Sequence, residues 1–240
     1  MLVIDGGVHE FQALPLIFFG RQKPLAYVVN PKAASTASHN FIFYVNHGYR
    51  YFDAFRLWDS HVATLRIGGT EFLPDVLDQF LELKPECFSI VRDPLRRFIS
   101  AFLSKVFTTD DPSYHTCREA LTSLCGLDLS PEADPARSCL AFAQWISVQE
   151  RPQDLDPHFR PQHFNLAIGS RFKVDTILRL EDQDMLHAYF AKWIGEEKAK
   201  WFLSLRFNEQ TRYKASDCVS DELRSLVRKI YAKDYELFYG

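Results

Sequence analysis

The sequence lacks the features by which several large classes of protein are recognised. Its five cysteines include no C-x-x-C pair and are odd in number, which indicates reduced thiols rather than a disulfide framework. Its early apolar run, residues 14–19, is too short for a signal peptide or a membrane span. We therefore expect a cytoplasmic protein without a membrane span.

The sequence also has no large excess of positive or of negative residues. The formal net charge is −3, which argues against a protein that binds nucleic acid through bulk positive charge, so any anion site must be local. The glycine-rich Walker A loop G-x-x-x-x-G-K-[ST] does not occur. No repeat, low-complexity run or linker divides the chain.

The composition is that of a globular protein with a real core. The chain has 240 residues, of which 47% are hydrophobic and 25% charged, and these values fit one globular domain. We predict a single domain over residues 1–240. Within it, residues 1–24 form a leader that packs on the sheet, and residues 107–165 form a loop-rich insertion that shapes a substrate surface.

The most informative stretch is residues 25–45. Its apolar start, residues 25–29, is typical of a strand buried on both faces. Lys32 and a run of alanine, serine and threonine follow, and then a helix begins. A helix start directs backbone N–H groups at one place, and Lys32 adds a positive charge, so this turn suits a phosphate or sulfate group. A plain strand-to-helix turn explains the stretch equally well on its own.

A second strand-to-helix junction supports the first. Residues 87–91 form an apolar strand that leads directly into Arg92, and Asp93 is a good cap for a following helix that contains Ser100. Ligands bind beyond the carboxyl ends of parallel strands, so Arg92 and Lys32 are predicted to occupy equivalent places on two strands. Arginine suits phosphate because its planar guanidinium donates in pairs. The alternatives are that Arg92 pairs with a carboxylate and that Ser100 is an ordinary helix serine.

A stiff loop with two prolines, residues 154–163, carries further polar residues. His158 stands two positions after Asp156, a pattern in which a carboxylate can orient a general base. A purely structural loop histidine is the alternative. No third ligand supports a zinc site at His158 and His163, so no metal is predicted.

The remaining pattern predicts alternating strands and helices. Apolar spacing indicates helices over residues 71–83, 138–150, 185–193 and 221–238, and strands over residues 63–67 and 174–180. The polar run of residues 206–216 contains Arg212 and Lys214 and by itself indicates a solvated loop.

Several segments, taken in chain order, resemble motifs of the carbohydrate sulfotransferase family, which includes Golgi enzymes acting on glycosaminoglycans and related bacterial proteins. NPKAASTAS (30–38) is similar to its loop for the 5′-phosphosulfate of the donor PAPS, 3′-phosphoadenosine 5′-phosphosulfate. IVRDPLRRFISAF (90–102) is similar to its 3′-phosphate motif, and DPHFRPQ (156–162) to a D-x-H-W/F-x-P-Q segment. Glu181 falls where the family has a Glu after a strand, and the tail is similar to its closing helix.

The resemblance implies a fold and a cofactor. The fold is a three-layer P-loop-like α/β fold with a mostly parallel central sheet flanked by helices. PAPS is the donor, PAP the product, and no metal takes part. The implied ligands of the donor's 5′ end are Lys32, with the N–H groups of Ala34, Ser35, Thr36 and Ala37 and the hydroxyls of Ser35 and Thr36. Arg92 and Ser100 bind the 3′-phosphate, and Arg212 or Lys214 closes over the nucleotide.

The resemblance also implies a reaction, the transfer of a sulfuryl group to an acceptor hydroxyl on a carbohydrate or a small metabolite. His158 is the first choice for the base, and His61 is its rival. The cysteine pair that often follows the D-x-H-W-x-P-Q segment is absent, as is a membrane anchor, so we expect a bacterial cytoplasmic member. The alternatives are a P-loop-like kinase and a non-catalytic module that binds PAP or a glycan.

Overall fold

The structure is a computed structural model that describes residues 15–50, 65–67, 74–109, 112–130, 133–170, 172–205 and 213–240. The chain forms two compact units. Unit 1 comprises residues 1–91 and 162–208, and unit 2 comprises residues 92–161 and 209–240. The single-domain organisation stays a prediction.

A mixed sheet is the centre of unit 1. Its described strands are β1 (Ile17–Phe19), β2 (Leu25–Val28), β3 (Leu65–Ile67), β4 (Glu86–Val91) and β5 (Thr176–Arg179). They are ordered β3-β1-β2-β4-β5, and β1 is antiparallel to both of its neighbours while β2, β4 and β5 pair in parallel. Four strands therefore share one direction, which confirms the predicted mostly parallel sheet. Strand β1, inside the predicted leader, was not foreseen.

Ten α-helices lie within the described residues. In chain order they are α1 (Ser35–His47), α2 (Pro74–Leu83), α3 (Pro94–Phe102), α4 (His115–Cys125), α5 (Pro135–Ser147), α6 (Gln162–Asn165), α7 (Gln183–Ile194), α8 (Glu196–Ser204), α9 (Asp221–Ile230) and α10 (Ala232–Tyr239). The predicted loop-rich insertion thus contains two helices of more than two turns, α4 and α5. Helix α5 begins earlier than predicted because Asp134 caps it, accepting from the N–H of Ala136 at 2.9 Å.

Helices cover both faces of the sheet in unit 1. Tyr27 and Phe88 lie on one face, in a core cluster with Phe41 of α1 and Phe190 of α7, whose rings stack 3.9 Å apart. On the other face, Phe19 meets Phe80 of α2 with the ring centroids 5.2 Å apart. Burial on both faces explains why β2 is entirely apolar, as the sequence predicted.

Unit 2 is a helical body around an aromatic core. Phe98 of α3, Phe142 of α5 and Val227 of α9 belong to one buried cluster. The final helix predicted over residues 221–238 is instead two helices, because the chain leaves the helical conformation at Tyr231, with φ −110° and ψ 29°. The break coincides with a buried Tyr231 whose hydroxyl donates to the carbonyl oxygen of Phe159 at 2.7 Å.

Candidate functional site

The turn between β2 and α1, residues 30–37, is called the Lys32 loop below. Lys32 has φ 67° and Ala34 has φ 60°, whereas Ala33 between them does not have a positive φ. When residues with positive and negative φ alternate, successive backbone N–H groups point into one concave pocket. Such a nest of N–H groups binds anions. Lys32 is half-buried. The loop thus combines a nest-like backbone with a lysine.

Helix α1 begins without the usual carboxylate or hydroxyl cap. Among the described residues no side chain caps it, and its first turn has no acidic residue. Its first hydrogen bond runs from the N–H of Ser38 to the carbonyl oxygen of Ala34, at 2.9 Å. The N–H groups of residues 35–37 precede this bond and lie in the first turn of α1, the part of a helix that directs N–H groups at a ligand. Helices α3, α5, α7 and α9 do begin with a side-chain cap.

The hydroxyl of Ser35 is used inside the Lys32 loop. It donates to the carbonyl oxygen of Asn30 at 2.7 Å and accepts from the hydroxyl of Tyr27 at 3.1 Å. Its proton is thus already committed to the backbone, and the group that Ser35 offers to a ligand is its N–H. The sequence had assigned both groups to the donor.

Asn30, the first residue of the NPKAASTAS segment, supports the Lys32 loop, a role that the sequence analysis did not assign to it. Its side chain is fully buried and donates to Ile90 O at 3.0 Å and to Gln162 Oε1 at 2.7 Å. Asn165 donates to the Asn30 Oδ1 at 3.4 Å. The amide of Asn30 therefore ties the end of β2 to β4 and α6. The one sequence signal was the glutamine that ends the DPHFRPQ segment.

In unit 2, helix α3 begins with the cap and the proline that the sequence predicted. Asp93 Oδ1 accepts from the N–H of Arg96 at 2.9 Å, and Pro94 is the first helical residue, so the predicted cap is confirmed. Arg92 follows the last residue of β4 in the chain and is half-buried. Ser100 is half-buried within α3. Their role as phosphate ligands stays a prediction.

The two polar residues predicted as a base and its partner are in contact within unit 2. His158 Nδ1 lies 2.7 Å from Asp156 Oδ1, which also accepts from the N–H of His158 at 2.8 Å. Burial raises the pKa of Asp156, but the hydrogen bonds from His158 and the nearby Lys105 outweigh it, so the pKa lies below its usual value. An ionised carboxylate can only accept, which places the proton on Nδ1 and leaves Nε2 of His158 as a proton acceptor.

Two buried side chains hold the segment around this pair, residues 156–160, called the His158 loop. Arg97 is 1% exposed and donates to the carbonyl oxygens of Arg160 at 2.9 Å and Pro157 at 2.8 Å. Tyr231 donates to Phe159 O at 2.7 Å, and burial raises the pKa of its hydroxyl, which keeps it a donor. The sequence analysis assigned no role to either residue, although Arg97 lies in the segment of residues 90–102 and Tyr231 in the tail that resembles the family's closing helix.

The structure gives little support for a binding or catalytic role of the remaining predicted site residues. His61 and Arg212 lie outside the described residues. Lys214 is exposed, and its N–H donates to Asp217 at 2.9 Å. Glu181 is exposed beyond the end of β5.

The described part of the chain offers neither a cluster of metal ligands nor a membrane-spanning helix, and three cysteines in it are free thiols. No cluster of three or more His, Cys, Asp or Glu side chains there could hold a metal ion. No helix there has both the length and the apolar character needed to cross a bilayer. Three cysteines there, Cys87, Cys139 and Cys218, are buried free thiols. The metal-free reaction and the cytoplasmic location stay predictions.

Comparison with known proteins identifies the class. The profile of the sulfotransferase family matches residues 15–240, nearly the whole chain. The chain therefore belongs to the sulfotransferase family, which confirms the predicted class and its α/β fold. No curated protein and no solved structure is significantly similar to the chain. Membership supports sulfuryl transfer in general, and the carbohydrate branch and bacterial origin stay predictions.

Proposed function

We propose that the protein transfers a sulfuryl group from PAPS to a hydroxyl of a carbohydrate by metal-free in-line displacement. The acceptor oxygen attacks sulfur, the bond between sulfur and the 5′-phosphate oxygen breaks, and PAP leaves. The acceptor proton passes to a base on the protein. The observation that carries the proposal is the uncapped start of α1 beside Lys32, in a chain of the sulfotransferase family.

The Lys32 loop is proposed to stabilise the leaving group. Negative charge grows on the 5′-phosphate as the bond to sulfur breaks. The ammonium group of Lys32 and the N–H groups of Ala34, Ser35, Thr36 and Ala37 are the donors assigned to that charge. Preorganised donors of this kind are worth about 3–4 kcal/mol each, because they need no reorganisation during the reaction.

The 3′-phosphate is assigned to Arg92 and Ser100. A guanidinium can donate two parallel hydrogen bonds to a phosphate, and a serine hydroxyl adds a third. This contact would separate PAPS from nucleotides that lack the 3′ group. Arg212 or Lys214 is assigned to closing over the nucleotide.

His158 is the proposed base. Its Nδ1 proton points at the ionised Asp156, so the Nε2 lone pair can take the acceptor proton while the carboxylate stabilises the resulting imidazolium. Arg97 and Tyr231 keep the His158 loop in place. These contacts support a preorganised base.

Thermal unfolding of the whole chain with PAP, with ATP and Mg²⁺, and without ligand tests the donor. At about one hundred times the Kd, a ligand stabilises the folded state by about 2.7 kcal/mol, which raises Tm. We expect PAP to raise Tm and Arg92→Ala to weaken PAP binding by about 1.5–3 kcal/mol. Stabilisation by ATP and Mg²⁺ but not by PAP would support the kinase alternative. Binding of PAP without turnover on any acceptor would support the non-catalytic module.

Substitution of the histidines tests the base. His158→Ala should lower turnover by about 10²–10⁴-fold while the PAP-induced rise in Tm is kept. His187→Ala, which removes a histidine of α7 in unit 1, is the matched control and should retain turnover. Full activity in His158→Ala together with loss of activity in His61→Ala would transfer the role to His61.

A further inference from the structure

Unit 2 contains a cavity of about 670 Å³. Small-molecule sites typically have volumes of about 300–1,000 Å³, so the cavity is large enough for a ligand of one or two sugar rings. The cavity lies along the end of α5 and the segment that follows it. Every residue that lines it belongs to unit 2.

The apolar part of the lining is an aromatic platform. Trp145 is half-buried, and its ring lies 5.7 Å from the ring of Phe142 at an interplanar angle of 24°. Phe142 is itself fully buried and packs edge-on against Phe159 at 4.8 Å. The indole of Trp145 therefore has rigid support, and it lines the cavity with an apolar ring surface.

The polar part of the lining is acidic. It includes three carboxylates, on Glu150, Asp154 and Asp156, and one guanidinium, on Arg151. Arg151 Nε lies 2.7 Å from Asp154 Oδ2, so these two charges largely offset each other. The remaining charges of the lining, on Glu150 and Asp156, are both negative, and because Lys105 lies near Asp156, the discrimination by charge is assigned mainly to Glu150.

The cavity adjoins the proposed base. Tyr114 and Asp156 line it, and both contact His158: the Tyr114 hydroxyl lies 3.2 Å from His158 Nδ1 and Asp156 Oδ1 lies 2.7 Å from it. A molecule that fills the cavity therefore has one end beside these two partners of His158. These contacts are with Nδ1, so they place the cavity next to the two side chains that orient the base, and the acceptor hydroxyl itself must reach Nε2.

We propose that this cavity is the acceptor site and that it selects uncharged or amine-bearing sugars over sugars that carry carboxylate or sulfate groups. The inference rests on the proposed function. The C–H face of a sugar ring can pack on Trp145, and its hydroxyl or ammonium groups can donate to Glu150 and Asp156. A carboxylate or sulfate on the sugar would meet charges of its own sign in a partly desolvated site.

Isothermal titration of the full-length chain, in the absence of a donor, tests the selection. The probes are three β-1,4-linked disaccharides that differ in charge: cellobiose, the glucosamine dimer and cellobiouronic acid. We expect the two that carry no acid to bind, and the acid to bind at least about tenfold more weakly than cellobiose at low salt. Added salt should narrow that difference. Equal or tighter binding of the acid, or no binding of any probe, overturns the proposal.

The substitution Glu150→Gln tests whether the carboxylate of Glu150 causes the weaker binding of the acidic disaccharide. Glu150 is exposed, so its substitution should leave the fold intact, and it should bring the affinities for cellobiose and the acid to within about threefold. Glu197→Gln removes an exposed carboxylate from α8 in unit 1 and should leave the tenfold difference unchanged. Trp145→Ala should abolish binding of all three probes. An unchanged difference in Glu150→Gln overturns the assignment.

The response to PAP separates this inference from the proposed function. If PAP raises Tm but no probe binds, or the acid binds best, the acceptor inference fails and the donor assignment stands. If cellobiose binds as expected but PAP has no effect on Tm, the donor assignment fails and the cavity remains a sugar site.

Discussion

Helices α1 and α3 both follow a strand of the parallel part of the sheet in the chain, but their first turns are built in opposite ways. Asp93 caps α3, and its carboxylate bonds the N–H of Arg96. Helix α1 has neither a side-chain cap nor an acid in its first turn, and the loop before it holds Lys32 and Ala34 at positive φ. At α3 a carboxylate accepts from a first-turn N–H group, whereas at α1 no side chain has that role and the nearest charge in the loop is the positive charge of Lys32.

Because of this difference, the two strand-to-helix junctions would contact an anion through different chemical groups. At α1 the backbone itself can bind an anion, together with Lys32. At α3 a carboxylate already caps the helix start and would repel an anion, so in the proposed function the contact with phosphate comes from the side chain of Arg92. The proposed function thus uses one strand-to-helix junction as a backbone site and the other as a support for a side chain.

The two helices also bury polar side chains in different ways. Arg97 of α3 is 1% exposed and keeps its charge because it donates to two carbonyl oxygens. His39 of α1 is fully buried and stacks on Phe18 with ring centroids 4.0 Å apart, and burial lowers its pKa to about 3. Helix α3 therefore carries a buried cation and α1 a neutral ring.

Among the substitutions that test this comparison, Arg97→Ala is expected to have the largest effect, a loss of folding stability. It leaves two carbonyl groups of the His158 loop without their charged donor, at about 1.5–3 kcal/mol for each bond, so the free energy of unfolding should fall by about 3–6 kcal/mol. Urea denaturation measures the loss. Arg96→Ala, which removes an exposed arginine from the next position, is the control and should cost less than about 0.5 kcal/mol. Equal losses in the two variants would show that the buried guanidinium does not hold the loop.

Lys32→Ala tests the other helix start. Removal of one preorganised donor should raise the activation barrier by about 3–4 kcal/mol, which lowers turnover by about 10²–10³-fold. Lys84→Ala is the matched control, because Lys84 is an exposed lysine that also has a positive φ, 46°, at the end of α2. Turnover should be unchanged in that variant. Similar activity in both variants would contradict the assignment of the Lys32 loop to the leaving group.

The sequence predicted those parts of the fold whose causes are local. The junction at Asp93 was predictable because a cap and a proline act on the next three residues. Strand β2 was predictable because burial on both faces requires a continuous apolar run. The short β1 has three residues and no detectable periodicity, so it was missed.

The supports of the site were not predictable because they join distant parts of the chain. Asn30 bonds partners 60 and 132 residues away, and Arg97 bonds carbonyl oxygens 60 and 63 residues away. An asparagine after a strand and an arginine in a helix are usually exposed, so neither pattern indicates a buried hydrogen bond. The positive φ of Lys32 and Ala34 was equally hidden, since no glycine marks it.

The pH dependence of stability tests the neutral histidine of α1. Between about pH 6.5 and about pH 3 the unfolded chain binds a proton at His39 that the folded chain does not, so stability falls as pH falls, by about 1.4 kcal/mol per unit. By about pH 5 the loss from this group is about 2 kcal/mol. His39→Phe keeps an aromatic ring against Phe18 but cannot titrate. Urea denaturation at about pH 7.5 and about pH 5 should therefore show a smaller loss in the variant, and identical losses would contradict the burial of a neutral His39.

The smallest effect is expected at the cap of α3. Asp93→Ala should lower the free energy of unfolding by about 1 kcal/mol because the N–H of Arg96 loses its acceptor, and Asp93→Asn, which can still cap, should restore it. Asp134→Ala makes the same change at α5 and should cost a similar amount. If Asp93 is purely a cap, PAP binding measured by titration stays within about 0.5 kcal/mol of that of the unsubstituted chain in all three variants. A larger change in Asp93→Ala alone would mean that the backbone at the start of α3 also contacts the nucleotide, and the distinction between the two helix starts would then fail.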